Sequence, residues 1–495
     1  MAELAARLDV SERPAGVVTG VTHDSRAVHP GDLYAALPGA NRHGAEFIAQ
    51  AVAAGAAAVL TDPAGATAAA EAGVPTLVVP DPRAVLGEVA ARVYGDPTAD
   101  LTVIGITGTA GKTTTAYLIE AGLRAAGRRP ALLGTVETRV GQLVVESVRT
   151  TPEATDLHAL FAFAREQGAD AVAMEVSSHA LALDRVGGVR FAVGGWTNFG
   201  QDHLDFHPDV AAYFEAKSRL FDGRCRTEVV NLDDPALAPL IGPDTVTFSA
   251  AGNPQATWYA TDRTTSDGYA QQFLAHGPAG AVPAGVSRPG LHNVANALLA
   301  IAALTQVGVE PAVAAQAVAD CPGAPGRLER VAAPGPVLGV VDYAHKPDAI
   351  VAALAALRPV AAARGGRLIC VLGAGGDRDA GKRPVMGQAA AEGADLVVVT
   401  DDNPRYEDPA AIRAAVLAGA RSVAGAEVTE VPGRREAIAA AVRTAAPGDV
   451  VALLGKGHER GQEVAGQMHP FDDRVALAEE LRDRADRSGN AGGTA

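Results

Sequence analysis

The stretch Leu101-Thr-Val-Ile-Gly-Ile-Thr-Gly-Thr-Ala-Gly-Lys-Thr-Thr114 decides the fold. Its first half is apolar apart from small residues, the pattern of a strand buried on both faces. Its second half is rich in glycine and runs into a helix predicted over 113–126. A strand, a Gly-rich turn and a helix together make a phosphate site: glycines let backbone amides close on the oxygens, and the helix N-terminus adds positive potential. Gly108, Thr109, Ala110, Gly111, Lys112, Thr113 and Thr114 are therefore expected to bind ATP, with Lys112 reaching the β and γ phosphates and Thr113 holding Mg²⁺. A strict phosphate-loop motif needs Gly at position 106, where this chain has Ile106, so the loop is a variant of it.

On the N-terminal side, short apolar runs at 17–21, 56–60 and 76–79 and a helical stretch at 45–54 precede Asp96-Pro97, which punctuates the chain. They define a first domain, 1–98. A second, 99–327, carries a further apolar strand at 169–176 and ends in Cys321-Pro-Gly-Ala-Pro-Gly-Arg327. Beyond it, apolar runs at 337–341, 368–372, 396–400 and 450–454 alternate with helical segments such as 348–357 and 410–420. Such alternation implies a parallel, doubly wound sheet for a third domain, 328–487. The tail, 488–495, is small and polar and is expected to be disordered. The fold class is thus α/β, with a central phosphate-loop ATPase domain and a C-terminal Rossmann-like domain.

Composition narrows the function classes. Lys and Arg number 42 against 57 Asp and Glu, a formal net charge of −15, which argues against nucleic acid as a partner. No apolar run reaches the ~18 residues that span a bilayer, and the N-terminal stretch is acidic, so a cytoplasmic protein without membrane insertion is expected. A monomer is expected, although nothing in the sequence fixes the oligomeric state. Cys225, Cys321 and Cys370 lie far apart with no CxxC spacing and read as reduced core residues.

Several side chains carry chemistry by position. Glu175 follows the apolar run Ala171-Val-Ala-Met and should emerge at the carboxyl end of a strand, where a carboxylate near Thr113 can hold Mg²⁺. His203 and His207 are four apart, a zinc-like spacing, but Pro208 and the lack of Cys or Glu partners argue against zinc. Lys217 lies in Tyr213-Phe-Glu-Ala-Lys-Ser-Arg-Leu-Phe221, where Tyr213, Ala216, Leu220 and Phe221 fall on one helical face, and the residues by themselves favour a surface lysine on an amphipathic helix. Asn293 and Asn296 can share a helix face, with Asn293 a candidate N-cap. Three polar loops follow apolar strands in the third domain: Gly375 to Arg383, Asp402-Asn403-Pro404-Arg405, and Gly455 to Glu459. Arg378 and Arg405 can each grip a carboxylate and Glu459 an ammonium, which suits a zwitterionic amino acid.

Five motifs in order make a resemblance specific: Thr107 to Thr114, Met174-Glu-Val-Ser-Ser-His179, Gly290-Leu-His-Asn-Val-Ala-Asn296, Asp342-Tyr-Ala-His345 and Asp402 to Arg405. Across nearly its whole length the chain resembles the Mur ligases of peptidoglycan synthesis, and within them the members that add the third amino acid. The resemblance implies an ATP-dependent ligase joining meso-2,6-diaminopimelate to UDP-N-acetylmuramoyl-L-alanyl-D-glutamate through an acyl phosphate. It implies that His203 binds a second Mg²⁺ and that Lys217 is carbamylated and binds Mg²⁺ through the new oxygens. Asn293 and Asn296 would face the adenine. Arg327 and Asp342 would contact phosphate and ribose, so that domain closure completes the site. Ser25, in Asp24-Ser-Arg26, would touch the uridine nucleotide, although those residues alone read as a turn. Thr150, Thr151, Ser177 and Arg185 would grip the muramoyl dipeptide. Leu183 and Lys346 depart from residues common in the family.

Two enzyme alternatives remain: a folylpolyglutamate synthetase-like ligase and a lysine-adding Mur ligase. Outside enzymes, a nucleotide-binding regulatory protein would also use a phosphate loop, though the chain lacks the guanine-reading NKxD sequence.

Overall fold

The computed structural model describes residues 1–10, 14–39 and 41–491, and the chain divides into two compact units. The first consists of Met1–Tyr259, His276–Val282 and Ala295–Val318; the second of Ala260–Ala275, Pro283–Val294 and Ala319–Ala495.

The first unit holds two sheets. Strands Gly20–Thr22, Asp32–Ala36, Ala58–Thr61 and Thr76–Val78 pair in parallel and in chain order. In the second of these, Leu33 and Ala35 pack into a cluster with Leu86 and Val89, while Tyr34 and Ala36 pack on the opposite face with Ile48 and Ala51. This period of two, apolar on both sides, is what a covered parallel strand requires. The predicted helix at 45–54 is a 3₁₀ turn, Gly44–Phe47, followed by a helix, Ile48–Ala53, with His43 capping the turn.

Eight neighbouring strands of the larger, eleven-stranded sheet are Val246–Ser249, Cys225–Asn231, Phe191–Trp196, Thr102–Thr107, Ala171–Glu175 and Pro130–Leu133, all parallel, followed by the antiparallel Glu137–Val140 and Leu143–Glu146. Thr102–Thr107 therefore sits in the interior of the sheet, with the helix Lys112–Ala125 springing from its carboxyl end.

In the second unit the order is Glu329–Val331, Leu338–Asp342, Val450–Leu454, Leu368–Leu372, Leu396–Val399 and Glu427–Glu430, parallel except for the first. Leu368, Cys370 and Leu372 face one apolar cluster and Ile369 and Val371 the other, so helices cover both faces. A buried ion pair, Arg434 to Asp473 at 2.7 and 2.5 Å, is joined by Arg434 donating to the carbonyl of Leu454 at 3.1 Å. It ties the end of the central strand to the start of the last helix. That helix, Asp473–Ala491, extends into the stretch expected to be disordered; residues 492–495 lie outside the described residues. All three cysteines are free, and among the described residues no helix is long and apolar enough to cross a membrane.

Candidate active site

The chain reverses at Gly108 and Gly111, whose φ angles of 140° and 87° disfavour side chains. Space excludes them as well: a Cβ at Gly108 would lie 1.8 Å from Thr197 Oγ1, and one at Gly111 2.4 Å from Asn296 Oδ1. The structure thus brings Asn296 against the phosphate loop. The loop is braced by the next strand end. Ala110 N–H donates to Asn198 Oδ1 at 3.0 Å, Thr197 Oγ1 donates to the Ala110 carbonyl at 2.6 Å, and Thr109 Oγ1 lies 3.2 Å from the Tyr213 hydroxyl. Lys112 donates to the carbonyls of Gly108 and Thr109 at 2.7 and 3.1 Å, folding its ammonium over the loop. Thr113 and Thr114 are buried in the first turn of the helix.

Thr113 donates its hydroxyl to Glu175 Oε2 at 3.0 Å. Glu175 is buried at the end of its strand and also accepts from the Thr135 amide at 2.6 Å and the Thr135 hydroxyl at 3.0 Å. A carboxylate and hydroxyls clustered beside a phosphate loop are hard oxygen donors, the set that fits Mg²⁺. Among the described residues no three His, Cys, Asp or Glu side chains group as a metal cage.

Lys217 is buried, with 1% of its surface exposed, which corrects the surface reading of its helix. The helix Val210–Ser218, capped by Asp209, directs Lys217 inward, where it donates to the Gly108 carbonyl at 2.9 Å and lies 4.7 Å from the Tyr213 ring centre. Lys112 and Lys217 therefore meet on one carbonyl oxygen. His203 lies beside Asp202 at 3.3 Å and edge-on to His179 with centroids 4.7 Å apart. Its φ of 53° is unusual for a non-glycine residue, and such backbone collects at functional sites. His207, the other half of the zinc-like spacing, bonds Ser178 at 3.0 Å.

Thr151, Ser177 and Arg185 come together. Thr151 Oγ1 donates to the Glu175 carbonyl at 2.9 Å and accepts from Ser177 N–H at 3.1 Å, and Arg185 pairs with Glu153 at 2.9 Å. Arg149 also bonds Glu153, and Arg83 approaches it at 3.6 Å, so one carboxylate faces three guanidiniums. Thr150 joins this region through Thr135 at 3.1 Å. Ser25 lies in a surface turn where Arg26 forks onto Asp24 at 2.9 and 2.7 Å and holds the Asp24 carboxyl down at about 2.

In the second unit, Asn293 is the third residue of the helix Leu291–Gln306 and not its cap; its amide donates to the Pro289 carbonyl at 2.8 Å. Asp342 takes Leu328 N–H at 2.6 Å and Ala344 N–H at 2.8 Å, which fixes the chain next to Arg327, and burial raises its carboxyl above the usual range. Arg327 stacks over Tyr343 at 4.5 Å. Gly455 links two expected residues: its N–H donates to the Asp342 carbonyl at 3.1 Å, and a Cβ there would meet Asp402 Oδ2 at 2.6 Å.

The three strand-end loops do converge. Asn403 donates to Glu459 Oε2 at 2.9 Å, and the carbonyl of Pro404 packs against Gly376. Arg405, at φ 52°, bonds Glu463 at 3.1 Å and the Gly376 carbonyl at 2.7 Å. Arg378 is exposed on the same loop as Gly376. Lys456 is a residue that sequence reasoning missed. It is wholly buried and donates to Asn403 Oδ1 at 3.0 Å and Glu459 Oε2 at 2.9 Å. Its signal was its place between Gly455 and Gly457, where a lysine following a buried strand needs an anionic partner. Arg383, also missed, pairs with Glu407 at 2.9 and 2.8 Å.

Three family models match the chain: "Mur ligase family, catalytic domain" over residues 17–94, "Mur ligase middle domain" over 106–304, and "Mur ligase, glutamate ligase domain" over 326–457. A UDP-N-acetylmuramoyl-L-alanyl-D-glutamate:2,6-diaminopimelate ligase of Streptomyces coelicolor is 54% identical over 97% of this chain and 96% of its own. Its namesake from Corynebacterium glutamicum is 46% identical over 94% and 93%. A solved structure of a ligase of the same name superposes with a TM-score of 0.70 at 33% identity, covering 96% of this chain and 97% of its own.

Proposed function

Because the chain belongs to the Mur ligase family, whose members are ATP-dependent amide-forming ligases, we propose that it adds meso-2,6-diaminopimelate to UDP-N-acetylmuramoyl-L-alanyl-D-glutamate. It does so as a monomer in the cytoplasm, with domains at 1–98, 99–327 and 328–487. The observation that carries the substrate reading is the joined network of Arg405, Asn403, Lys456 and Glu459, which offers a guanidinium and a carboxylate on one set of loops. That is the chemistry of an amino-acid head. The 54% identity to a diaminopimelate ligase over 97% of the chain supports the same reading over a folylpolyglutamate synthetase.

In the reaction the D-glutamyl side-chain carboxylate takes the γ-phosphoryl group and ADP leaves; the amine of diaminopimelate then attacks the acyl carbon and phosphate departs. The chain's residues position and neutralise, and none acts as a nucleophile. Lys112 stabilises negative charge on the transferred group. Thr113 and Glu175 would hold Mg²⁺, which neutralises phosphate charge when bound; His203 and a carbamylated Lys217 would hold a second ion. Thr150, Thr151, Ser177 and Arg185 fix the dipeptide, Ser25 the uridine nucleotide, and Asn293, Asn296, Arg327 and Asp342 the adenosine and phosphates. Arg378, Asp402, Asn403, Arg405, Gly455 and Glu459 hold the amino acid.

Phosphate release is the test. It is expected to require the UDP-dipeptide and diaminopimelate together with ATP. Release indifferent to both would leave only a nucleotide-binding protein of another kind.

A further inference from the structure

Arg405 is gripped from two sides. Its Nε–H donates to Glu463 Oε2 at 3.1 Å and its Nη1 to the Gly376 carbonyl at 2.7 Å. A guanidinium carries five N–H donors in one plane. The two bonds therefore set both its place and its plane, and among the described residues its Nη2 group makes no hydrogen bond. The edge left over is the Nη1/Nη2 end, which matches a carboxylate with two parallel bonds.

Glu463 is itself fixed through its backbone. It lies on the strand Gly461–Val464, half of a hairpin with Gln467–Pro470, and this hairpin attaches to the loop that carries Arg405. Arg405 N–H donates to the Glu463 carbonyl at 3.0 Å and Ala465 N–H to the Arg405 carbonyl at 2.7 Å. Glu463 N–H donates to Asn403 Oδ1 at 3.1 Å, and Gln462 Nε2 to the Asp402 carbonyl at 2.5 Å. The hairpin thus holds the left-handed turn at Arg405 by its backbone and the guanidinium by one side chain.

We propose that Glu463 is a positioning residue for amino-acid selection: it turns Arg405 so that the Nη1/Nη2 edge meets the distal carboxylate of the incoming amino acid. It acts as a hydrogen-bond acceptor, because its own negative charge works against a second carboxylate on the same guanidinium. The inference rests on the diaminopimelate reading of these loops. Its worth to binding is pre-organisation: an arginine already locked in the productive rotamer loses less freedom when ligand arrives.

Steady-state constants for all three substrates, measured on the unmodified protein, Glu463→Ala and Glu463→Gln, test it. Glu463→Ala should raise KM for diaminopimelate about 10-fold and lower the preference for diaminopimelate over lysine by a similar factor, with KM for ATP and the UDP-dipeptide moving less than about 2-fold. Glu463→Gln, which keeps the acceptor oxygen, should return KM to within about 3-fold of the starting value. An unchanged or lower KM in the alanine variant overturns the proposal, as does equal damage from Gln and Ala. If Glu463→Ala lowers the melting temperature, Glu463→Asp decides, since it draws the carboxylate back from Nε: a raised KM for diaminopimelate alone supports the proposal and an unchanged one refutes it. An unmodified protein that ignores diaminopimelate refutes the substrate reading itself, before any variant is needed, and the proposal falls with it.

Discussion

Around the phosphate loop, Lys112 and Lys217 lean on a neutral acceptor, the carbonyl of Gly108, and the loop is braced by amides and hydroxyls. At the strand-end loops of the second unit three cations meet carboxylates instead: Lys456 with Glu459, Arg405 with Glu463, and Arg383 with Glu407. The difference follows from the ligands. A polyphosphate brings several negative charges and is met by cations and backbone dipoles gathered at one place. A zwitterion brings no net charge, so its site can be balanced in advance, and it is selected by where each charge sits.

The largest effect should come from breaking the cation-rich side. Replacing Lys112 with Ala is expected to lower turnover about 100-fold to 1,000-fold, the scale for losing one positioned charge stabiliser. Lys112 extends over the loop toward the Gly108 and Thr109 carbonyls and is not part of the apolar core, so the melting temperature should stay close to that of the unmodified protein. Full activity in this variant would remove the phosphate loop from the reaction.

On the balanced side, Arg405→Ala should abolish most of the choice between diaminopimelate and lysine. Lysine lacks the distal carboxylate and would leave the Nη1/Nη2 edge of the guanidinium without its two-bond partner, a penalty on the order of 2 to 5 kcal/mol. That amounts to roughly 30-fold to several-thousand-fold discrimination at about 1.4 kcal/mol per decade. Competition between the two amino acids measures it, and the loss should fall on diaminopimelate use. Equal use of lysine by the unmodified protein would make this a lysine-adding ligase and leave the phosphate chemistry untouched.

Lys217 sharpens the contrast. As an ammonium it adds a second cation at Gly108; as a carbamate it supplies anionic oxygen for Mg²⁺ at the same place. Lys217→Ala should cost about 10-fold to 100-fold in turnover, the range for groups that support a metal, with partial rescue by a short-chain carboxylic acid. A bare amine at high resolution in crystals grown with ATP and Mg²⁺ would refute carbamylation.

What could be read from the sequence divides along the same line. The phosphate loop is contiguous, its glycines setting the backbone and its lysine and threonine offering side chains, so seven adjacent residues are enough to place the strand, the turn and the helix. In the third domain, strands Leu368–Leu372 and Val450–Leu454 fall where the apolar runs put them, because a strand covered on both faces must be apolar throughout. The edge strands Glu329–Val331 and Glu427–Glu430 escaped, being short and polar. The residues alone favour a surface position for Lys217 because a lysine is almost never fully buried without a partner, and the partner that holds it, the Gly108 carbonyl, lies 109 residues away in the chain. Glu463 was missed because its partner, Arg405, lies more than fifty residues away in the chain.

The smallest effect concerns what the two units share, which is neutral imidazole in the interior. Burial depresses His158 in the first unit and His345 in the second to about 4. His158 is enclosed beside the Gly187 carbonyl at 2.8 Å. Below its ordinary value of 6.5 the unfolded chain takes up a proton that native His158 refuses, so the unfolded state binds more protons and stability rises with pH. The full contribution is present above about pH 6.5 and is lost progressively as the pH falls toward about 4, where the native imidazole titrates as well. Between pH 7 and pH 5 the loss should be about 2 kcal/mol. Both tryptophans, Trp196 and Trp258, belong to the first unit, so their fluorescence during urea unfolding follows the unit that contains His158. His158→Gln keeps a side-chain N–H for the Gly187 carbonyl and removes the titration, so the dependence on pH should flatten by one proton in this window. A slope identical to that of the unmodified protein would show that His158 is not the group responsible.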